Sequence, residues 1–174
     1  MNEPIQDKMA SVFDGVRADT REDGLLEINA GQGEIMALLS FLKNNGFAHL
    51  AMISCVDRID QEKLELVYIL SRYLEPGSPA AGKENVNNVI LKTVIDRQAP
   101  LIISVIPIFE NAEPYEREIH ELFGVNFEGH PRLTPLFLER EYETPPFRKD
   151  FDTREYVRNT FDAVPEIEKE AGKK

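Results

Sequence analysis

Residues 48–73 read AHLAMISCVDRIDQEKLELVYILSRY and contain two β-forming runs. Residues 60–62 join the runs Ala48–Ile59 and Lys63–Tyr73, and a connection of this length is typical of a hairpin. Apolar residues alternate along the second run, so that one face collects Leu64, Leu66, Tyr68 and Leu70. The stretch therefore predicts an antiparallel β-hairpin that buries one face against a core.

The segments on either side of the hairpin show both helical and strand patterns. Helices are predicted over Ile5–Val16 and over Tyr115–Gly124. A further predicted helix begins after Gly33, and its apolar face consists of Ile35, Leu38, Leu39 and Leu42. Strands are predicted at Leu25–Asn29 and Asn88–Asp96, and residues 75–87 form a predicted loop. Residues 101–106 are either a buried strand or the lead into a helix. The pattern predicts an α+β fold, a small antiparallel-rich sheet with helices on one face.

The sequence changes character after the last predicted helix. Residues 125–157 are rich in proline and have no stable period, so this segment must lie across another surface. Of the 36 residues from 139 to 174, 18 are charged, which marks a shift from a packed domain to a solvated tail. We therefore predict an α+β domain at 1–133 and an extended, charged C-terminal arm at 134–174.

Composition excludes several classes of function. The net charge of −11 disfavours nucleic acid and anionic membrane surfaces as partners, since both carry negative charge. The single cysteine, Cys55, allows neither an intramolecular disulfide nor a self-contained iron–sulfur cluster. The most apolar run, Leu101–Phe109, is too short to span a bilayer, and the first residues lack the features of a signal peptide. We therefore expect a cytoplasmic chain without a direct membrane span.

The residues by themselves do not describe an active site. Gly31 and Gly33 form a lone Gly-x-Gly, which is weak evidence for a phosphate cradle. Glu116 and His120 lie one helical turn apart, so they could ligate a metal ion or form an ordinary helix-surface pair. We predict no catalytic, cofactor-binding or metal-binding residue in this chain. Two other hypotheses are a free-standing metal-dependent enzyme that uses these residues and His130, and a soluble regulator that binds a partner through its acidic face.

The stretch EREIHELFGVNFEGHPRL, residues 116–133, closely resembles the signature of the 30-kDa subunit family of respiratory complex I. The matching positions are Glu116, Arg117, Glu118, Leu122, Phe123, Gly124, Gly129, His130, Pro131 and Arg132. A second family element matches Phe147, Arg148, Lys149, Asp150 and Phe151. This chain departs from complex I subunits at residues 143–146, where Glu-Thr-Pro-Pro replaces a second Gly-His-Pro. The form of residues 120–124, His-Glu-Leu-Phe-Gly, looks more like the homologous subunit of group 4 membrane-bound NiFe hydrogenases.

The resemblance implies that this chain has a structural, non-catalytic function. Members of this family hold no cofactor and dock on a large catalytic subunit, which holds the NiFe centre or its quinone-site equivalent. The neighbouring subunits carry iron–sulfur clusters. The assembly is a peripheral arm on the cytoplasmic side of the cell membrane, and this chain contacts the membrane arm only indirectly. The most similar family form is the small subunit of the archaeal ferredoxin-dependent, H2-evolving, ion-translocating hydrogenase. Complex I and a sulfane sulfur reductase are the alternatives.

The resemblance also implies which residues contact the partner. They are Glu116, Arg117, Glu118, His120, Glu121, Phe123, Gly129, His130, Pro131, Arg132, Phe147, Arg148, Lys149, Asp150 and Phe151. The Arg117 guanidinium offers a planar fork for a partner's carboxylates. The arm aromatics Phe147, Phe151, Tyr156 and Phe161 would anchor the arm on its neighbour. The alternative is that Glu-Arg-Glu forms contacts within the chain that hold the root of the arm.

Overall fold

The predicted hairpin is present in a computed structural model, which describes residues 4–14, 16–21, 24–73, 86–138 and 142–160. Strands β3 (His49–Arg58) and β4 (Lys63–Ser71) pair antiparallel, and a 3-10 turn at Ile59–Gln61 connects them. All four apolar residues predicted to share a face of β4 are completely buried. The hairpin prediction is confirmed.

Three further strands complete a five-stranded sheet. They are β1 (Arg17–Thr20), β2 (Leu25–Asn29) and β5 (Asn88–Asp96), and the strand order is β1-β2-β5-β4-β3. The β2–β5 pair is parallel and the other three pairs are antiparallel. The sheet is therefore antiparallel-rich, as predicted, and β3 lies at its edge.

The core lies between one face of the sheet and the helices. Helices α1 (Ile5–Ala10), α2 (Ile35–Asn44) and α3 (Glu113–Phe123) all contribute buried apolar residues to a single cluster with β2–β5. On the opposite face of the sheet the side chains are more exposed, and Val94 is 50% exposed. An antiparallel sheet with one covered face gives the alternation seen in the sequence.

Two boundaries near the N-terminus differ from prediction. The first helix ends at Ala10 rather than Val16, because the Ser11 hydroxyl donates to the Lys8 carbonyl (2.7 Å) and the chain turns toward β1. Phe13 still packs on the core, with its ring edge-to-face against Phe41 at 5.5 Å. Strand β1 was not predicted, because only one of its four residues is even partly buried and no alternation marks it.

The segment after β5 forms a second, smaller sheet. Residues 101–106 adopt the strand alternative only in part, as β6 (Leu101–Ile103), which pairs in parallel with β7 (Asn126–Glu128). A further helix, α4 (Thr153–Thr160), lies in the predicted arm, where no regular structure was expected. Its residues are strongly polar and none is buried, so apolar periodicity could not indicate it. The domain boundary at 133 stays a prediction.

No helix in the described ranges is both long enough and apolar enough to cross a bilayer. Most of the predicted loop at 75–87 lies outside the described residues, as does Phe161.

Candidate functional site

Helix α3 carries the signature residues and lies beside the edge strand β3. Pro114 occupies the first turn of α3, where its missing N–H costs no hydrogen bond. The helix ends at Gly124, whose φ of +76° is the left-handed conformation that favours glycine. The Tyr115 hydroxyl donates to the Ala51 carbonyl of β3 at 2.9 Å, which fixes the helix against the sheet.

Glu116, at the start of the signature, is completely buried. Its carboxylate accepts hydrogen bonds from the Ser104 hydroxyl and the Val105 N–H, both at 2.7 Å. Burial raises the pKa of Glu116 to about 7, although these two hydrogen bonds act in the opposite direction. The Glu116 carboxylate is inside the fold and holds the segment after β6 against α3, which agrees with the alternative that Glu-Arg-Glu forms contacts within the chain.

Arg117 binds the root of the arm. Its Nε donates to the Thr134 carbonyl at 2.9 Å, and its Nη2 donates to the Pro135 carbonyl at 2.8 Å. Nη1 lies 3.4 Å from the Glu113 carboxylate one turn earlier, and the side chain is 12% exposed. Both donor edges of this fork bind groups of the same chain, and a contact of Arg117 with a partner stays a prediction. The alternative, a brace at the root of the arm, describes this geometry.

Glu121 fastens the next residues of the arm. Its carboxylate accepts from the N–H groups of Leu136 and Phe137 at 3.0 Å, and also from the N–H of Leu138. Arg117 therefore binds arm carbonyls and Glu121 binds arm N–H groups, one helical turn apart on α3. We call this pair, with residues 134–138, the first clasp. The contact of Glu121 with a partner stays a prediction.

A second set of contacts holds the Arg-Lys-Asp element, residues 147–151. We call these contacts, which join Asp57 and Arg97 to Lys149 and Asp150, the second clasp. The buried Arg97 guanidinium donates to both carboxylate oxygens of Asp57, at 2.8 and 3.0 Å, and to Asp150 of the arm at 2.6 Å. The Lys149 N–H donates to Asp57 at 2.8 Å. Hydrogen bonding from Arg97 is the main cause that lowers the pKa of Asp57. Asp150 and the Lys149 backbone therefore bind inside the chain, and the partner contacts predicted for these two residues stay predictions.

The sequence patterns did not indicate Asp57 or Arg97 as site residues. One signal was available, because Ile53, Cys55 and Asp57 occupy alternate positions that all face the core. An aspartate at the third of these positions requires a buried partner. The sequence does not show which cation that partner is, because Arg97 lies 40 residues further along the chain.

The start of the Arg-Lys-Asp element closes over the end of α3. The Phe147 N–H donates to the Leu122 carbonyl at 3.0 Å, and the Arg148 Nε donates to the Phe123 carbonyl at 2.8 Å. These bonds satisfy two carbonyls at the helix C-terminus, where α-helices lack internal partners. A Cβ at Gly124 would lie 2.9 Å from Pro145. Arg148, predicted as a partner contact, therefore caps the helix of its own chain.

The two histidines of the signature also bind backbone groups. The His120 Nδ1 donates to the Val125 carbonyl at 2.8 Å, and the His130 Nδ1 accepts from the Arg132 N–H at 3.0 Å. Within the described ranges, no group of three His, Cys, Asp or Glu side chains is placed to hold a metal ion. Burial raises the pKa of the Cys55 thiol to about 12, so this thiol stays protonated at neutral pH.

The other predicted contact residues keep side chains outside the clasps. The Glu118 side chain makes no hydrogen bond or ion pair with another described residue, and Phe147 is 60% exposed with its ring edge-to-face against Phe123. Phe151 packs against Tyr142 and Tyr156, with ring centroids 5.9 and 5.7 Å away. For these residues, and for Gly129, Pro131 and Arg132 in the exposed turn, partner contact stays a prediction.

The fold and the two clasps define a small α+β domain whose signature helix fastens a C-terminal arm. The chain belongs to the family of the respiratory-chain NADH dehydrogenase 30 kDa subunit, whose model matches residues 28–157. The matched range includes both clasps, so the residues that hold the arm are within the family domain.

Individual relatives agree with this assignment. A subunit of the NADH-quinone oxidoreductase of Rhizobium johnstonii is 31% identical over 151 residues, which is 84% of this chain and 70% of the relative. A subunit of the F(420)H(2) dehydrogenase of Methanosarcina mazei is 36% identical over 107 residues, 61% of each chain. The 30.4 kDa subunit of mitochondrial NADH-ubiquinone oxidoreductase from Neurospora crassa is 30% identical over 141 residues, and the match spans 46% of its length.

A solved structure matches nearly the whole chain. A chain of the membrane-bound sulfane sulfur reductase, an archaeal respiratory membrane complex, superposes with a TM-score of 0.80 and 26% identity. The match covers 98% of this chain and 96% of that chain. A fragment of Nqo5 gives a TM-score of 0.60 at 23% identity over 74% of this chain, which shows the shared fold.

Proposed function

We propose that this chain is a cofactor-free, non-catalytic scaffold subunit in the peripheral arm of a complex-I-like membrane oxidoreductase. The carrying observation is the match, over nearly the full length of both chains, to a subunit of an archaeal respiratory membrane complex. The signature residues support the same function, because Arg117, Glu121 and Asp150 position the arm and none of them surrounds a ligand site. In this proposal the chain has a structural function in the complex, and its partner subunits carry out the redox chemistry.

The partners in this proposal are a large catalytic subunit and neighbouring subunits that carry iron–sulfur clusters, on the cytoplasmic side of the membrane. For the reaction of the complex, we propose H2 evolution by a ferredoxin-dependent NiFe hydrogenase coupled to ion translocation. This proposal rests on the His-Glu-Leu-Phe-Gly form of residues 120–124. The second candidate is sulfane sulfur reduction, which the superposition with the archaeal reductase subunit supports.

Purification of the intact complex tests both levels of the proposal. An affinity tag on this chain, used with mildly solubilised membranes of the native source, should retain a large subunit and iron–sulfur subunits. The retained complex is then assayed for H2 evolution with reduced ferredoxin, for reduction of sulfane sulfur, and for quinone reduction with NADH. A chain that is recovered without any membrane oxidoreductase would overturn the scaffold proposal. Activity in the second or third assay alone would overturn the hydrogenase proposal.

The cofactor-free character has a separate test on the purified chain. Elemental analysis and an absorption spectrum should show neither stoichiometric metal nor a flavin or cluster chromophore. One equivalent of tightly bound metal would instead support the metal-dependent enzyme, and exchange of His120 or His130 for Ala would then show whether the signature holds it.

A further inference from the structure

The edge strand β3 is covered at both ends and open between them. Near its start, the Leu50 and Ala51 carbonyls accept from the Asn111 side chain at 2.8 Å and from the Tyr115 hydroxyl at 2.9 Å. At its other end, Asp57 is held by the second clasp. Between these points, residues 52–55 border an open groove of about 240 Å³ between β3 and α3.

The groove is mainly apolar, although it opens to solvent. Phe123, Phe147 and Ile119 form the wall opposite β3, and Met52 and Phe147 are 41% and 60% exposed. Large apolar side chains exposed together in a concave site are typical of an interaction surface. Native proteins also cover the edges of their sheets, since an open edge presents unpaired backbone groups that pair with any extended segment.

Glu118 supplies the charge of the groove. Its side chain lies on the groove wall and is half-buried, and it forms no hydrogen bond or ion pair within the part of the chain that the structure describes. Of the other three acidic residues of the signature, Glu116 and Glu121 are engaged by backbone N–H groups, and Glu128 is exposed on β7 outside the groove. Among the described residues this half-buried carboxylate beside apolar rings has no cationic partner, so it is available to bind one.

We propose that this groove binds an extended segment of a partner subunit, which adds to the edge of β3 and places a Lys or Arg against Glu118. The inference rests on the proposed function, because it names where and how another member of the complex contacts this chain. Strand addition uses backbone hydrogen bonds for affinity, and alternate side chains fill pockets for specificity. Met52 and Phe147 would contact the apolar residues of the segment, and Glu118 its basic residue.

A second copy of this chain fits the groove less well than a segment of a different protein. Symmetric pairing of two β3 edges would bring two Glu118 carboxylates into one interface, and like charges there oppose association. The net charge of −11 acts in the same direction.

Cross-linking in the assembled complex tests the identity of the occupant. A photo-reactive benzoylphenylalanine in place of Met52 is activated in the purified complex, and the cross-linked peptide is identified by mass spectrometry. The expected product contains a segment of a co-purified subunit in which apolar residues alternate and a Lys or Arg is present. Cross-links only to residues 161–174 of this chain, only to a second copy, or to no protein at all would overturn the proposal.

Matched variants test the two contacts. Glu118→Lys is compared with Glu128→Lys, because Glu128 is an exposed glutamate on β7 that lies outside the groove. Phe147→Ala is compared with Tyr73→Ala, since both rings are exposed, at 60% and 91%, and Tyr73 lies outside both the groove and the clasps. We expect the groove variants to lower retention of the chain in the complex at least about tenfold and the controls to change it less than about twofold.

The two proposals fail differently in this experiment. If the wild-type chain does not co-purify with membrane subunits, the proposed function fails. If the wild-type chain co-purifies and the groove variants are retained like their controls, the groove proposal alone is overturned. Thermal unfolding of each isolated variant shows that it is folded, and a variant that unfolds early is replaced by Glu118→Gln or Phe147→Leu in the same comparison.

Discussion

Replacement of Arg97 by methionine is the sharpest perturbation of the structure. Methionine keeps much of the apolar length of the side chain but removes three charge-assisted hydrogen bonds, two to Asp57 and one to Asp150. Asp57 is 3% exposed, so its carboxylate would stay buried with the Lys149 N–H as its remaining partner in the clasp. The arm would lose its contact with the sheet at the same time.

The expected cost follows from the burial of the pair. Removal of one member of a buried ion pair costs about 3–5 kcal/mol, because the other charge is left uncompensated. For a domain of this size, each kcal/mol lowers the melting temperature by about 2–4 °C, which gives a decrease of about 6–20 °C. Asp150→Asn should cost only about 1 kcal/mol, since the Asp150 side chain is 46% exposed and its charge is screened by solvent.

Urea unfolding of the purified full chain measures these free energies. The double variant Asp57→Leu with Arg97→Met should be more stable than Arg97→Met, because it leaves no unpaired charge in the core. Arg97 also lowers the pKa of Asp57, so its stabilising effect should be present above about pH 4 and decrease as the pH falls through that lowered pKa. A loss below about 1 kcal/mol for Arg97→Met, or a double variant that is less stable still, would refute the reasoning.

Three further predictions concern α3 and its cap. The raised pKa of Glu116 predicts that stability decreases as the pH rises from 4.5 to about 7, so Glu116→Gln should make the melting temperature less dependent on pH over this range. Equal slopes of melting temperature against pH in the wild type and the variant would contradict this prediction. Arg117→Ala should destabilise the isolated chain by about 1–3 kcal/mol and speed proteolysis near residues 134–138, and Arg117→Lys should rescue part of this loss. A variant that is normally stable but fails to assemble would instead indicate that Arg117 contacts the partner. Gly124→Ala should lower the free energy of urea unfolding by at least about 1 kcal/mol more than Gly129→Ala, because both glycines have positive φ but only a Cβ at residue 124 would meet Pro145. Equal losses in the two variants would exclude the steric contribution.

The sequence determined the parts of the fold that depend on local periodicity. The β3–β4 hairpin, strand β2 and helices α2 and α3 follow from apolar residues that recur at the period of a strand or a helix, and such a period reports which face is buried. The signature text at 116–133 and 147–151 identified the family, and it also marked the segment that the clasps use. Strand β1 and helix α4 were missed because they bury little apolar surface and therefore carry no period.

The tertiary structure decided what the signature residues do. Arg117, Glu121 and Asp150 look like surface charges in the sequence, and they bind groups of the same chain because folding brings the arm back across α3 and the sheet. The Lys149 N–H and the Asp57 carboxylate that meet in the second clasp are 92 residues apart. A charged residue shows no periodic pattern that names its partner, because an ion pair depends on distance in space and not on separation along the chain.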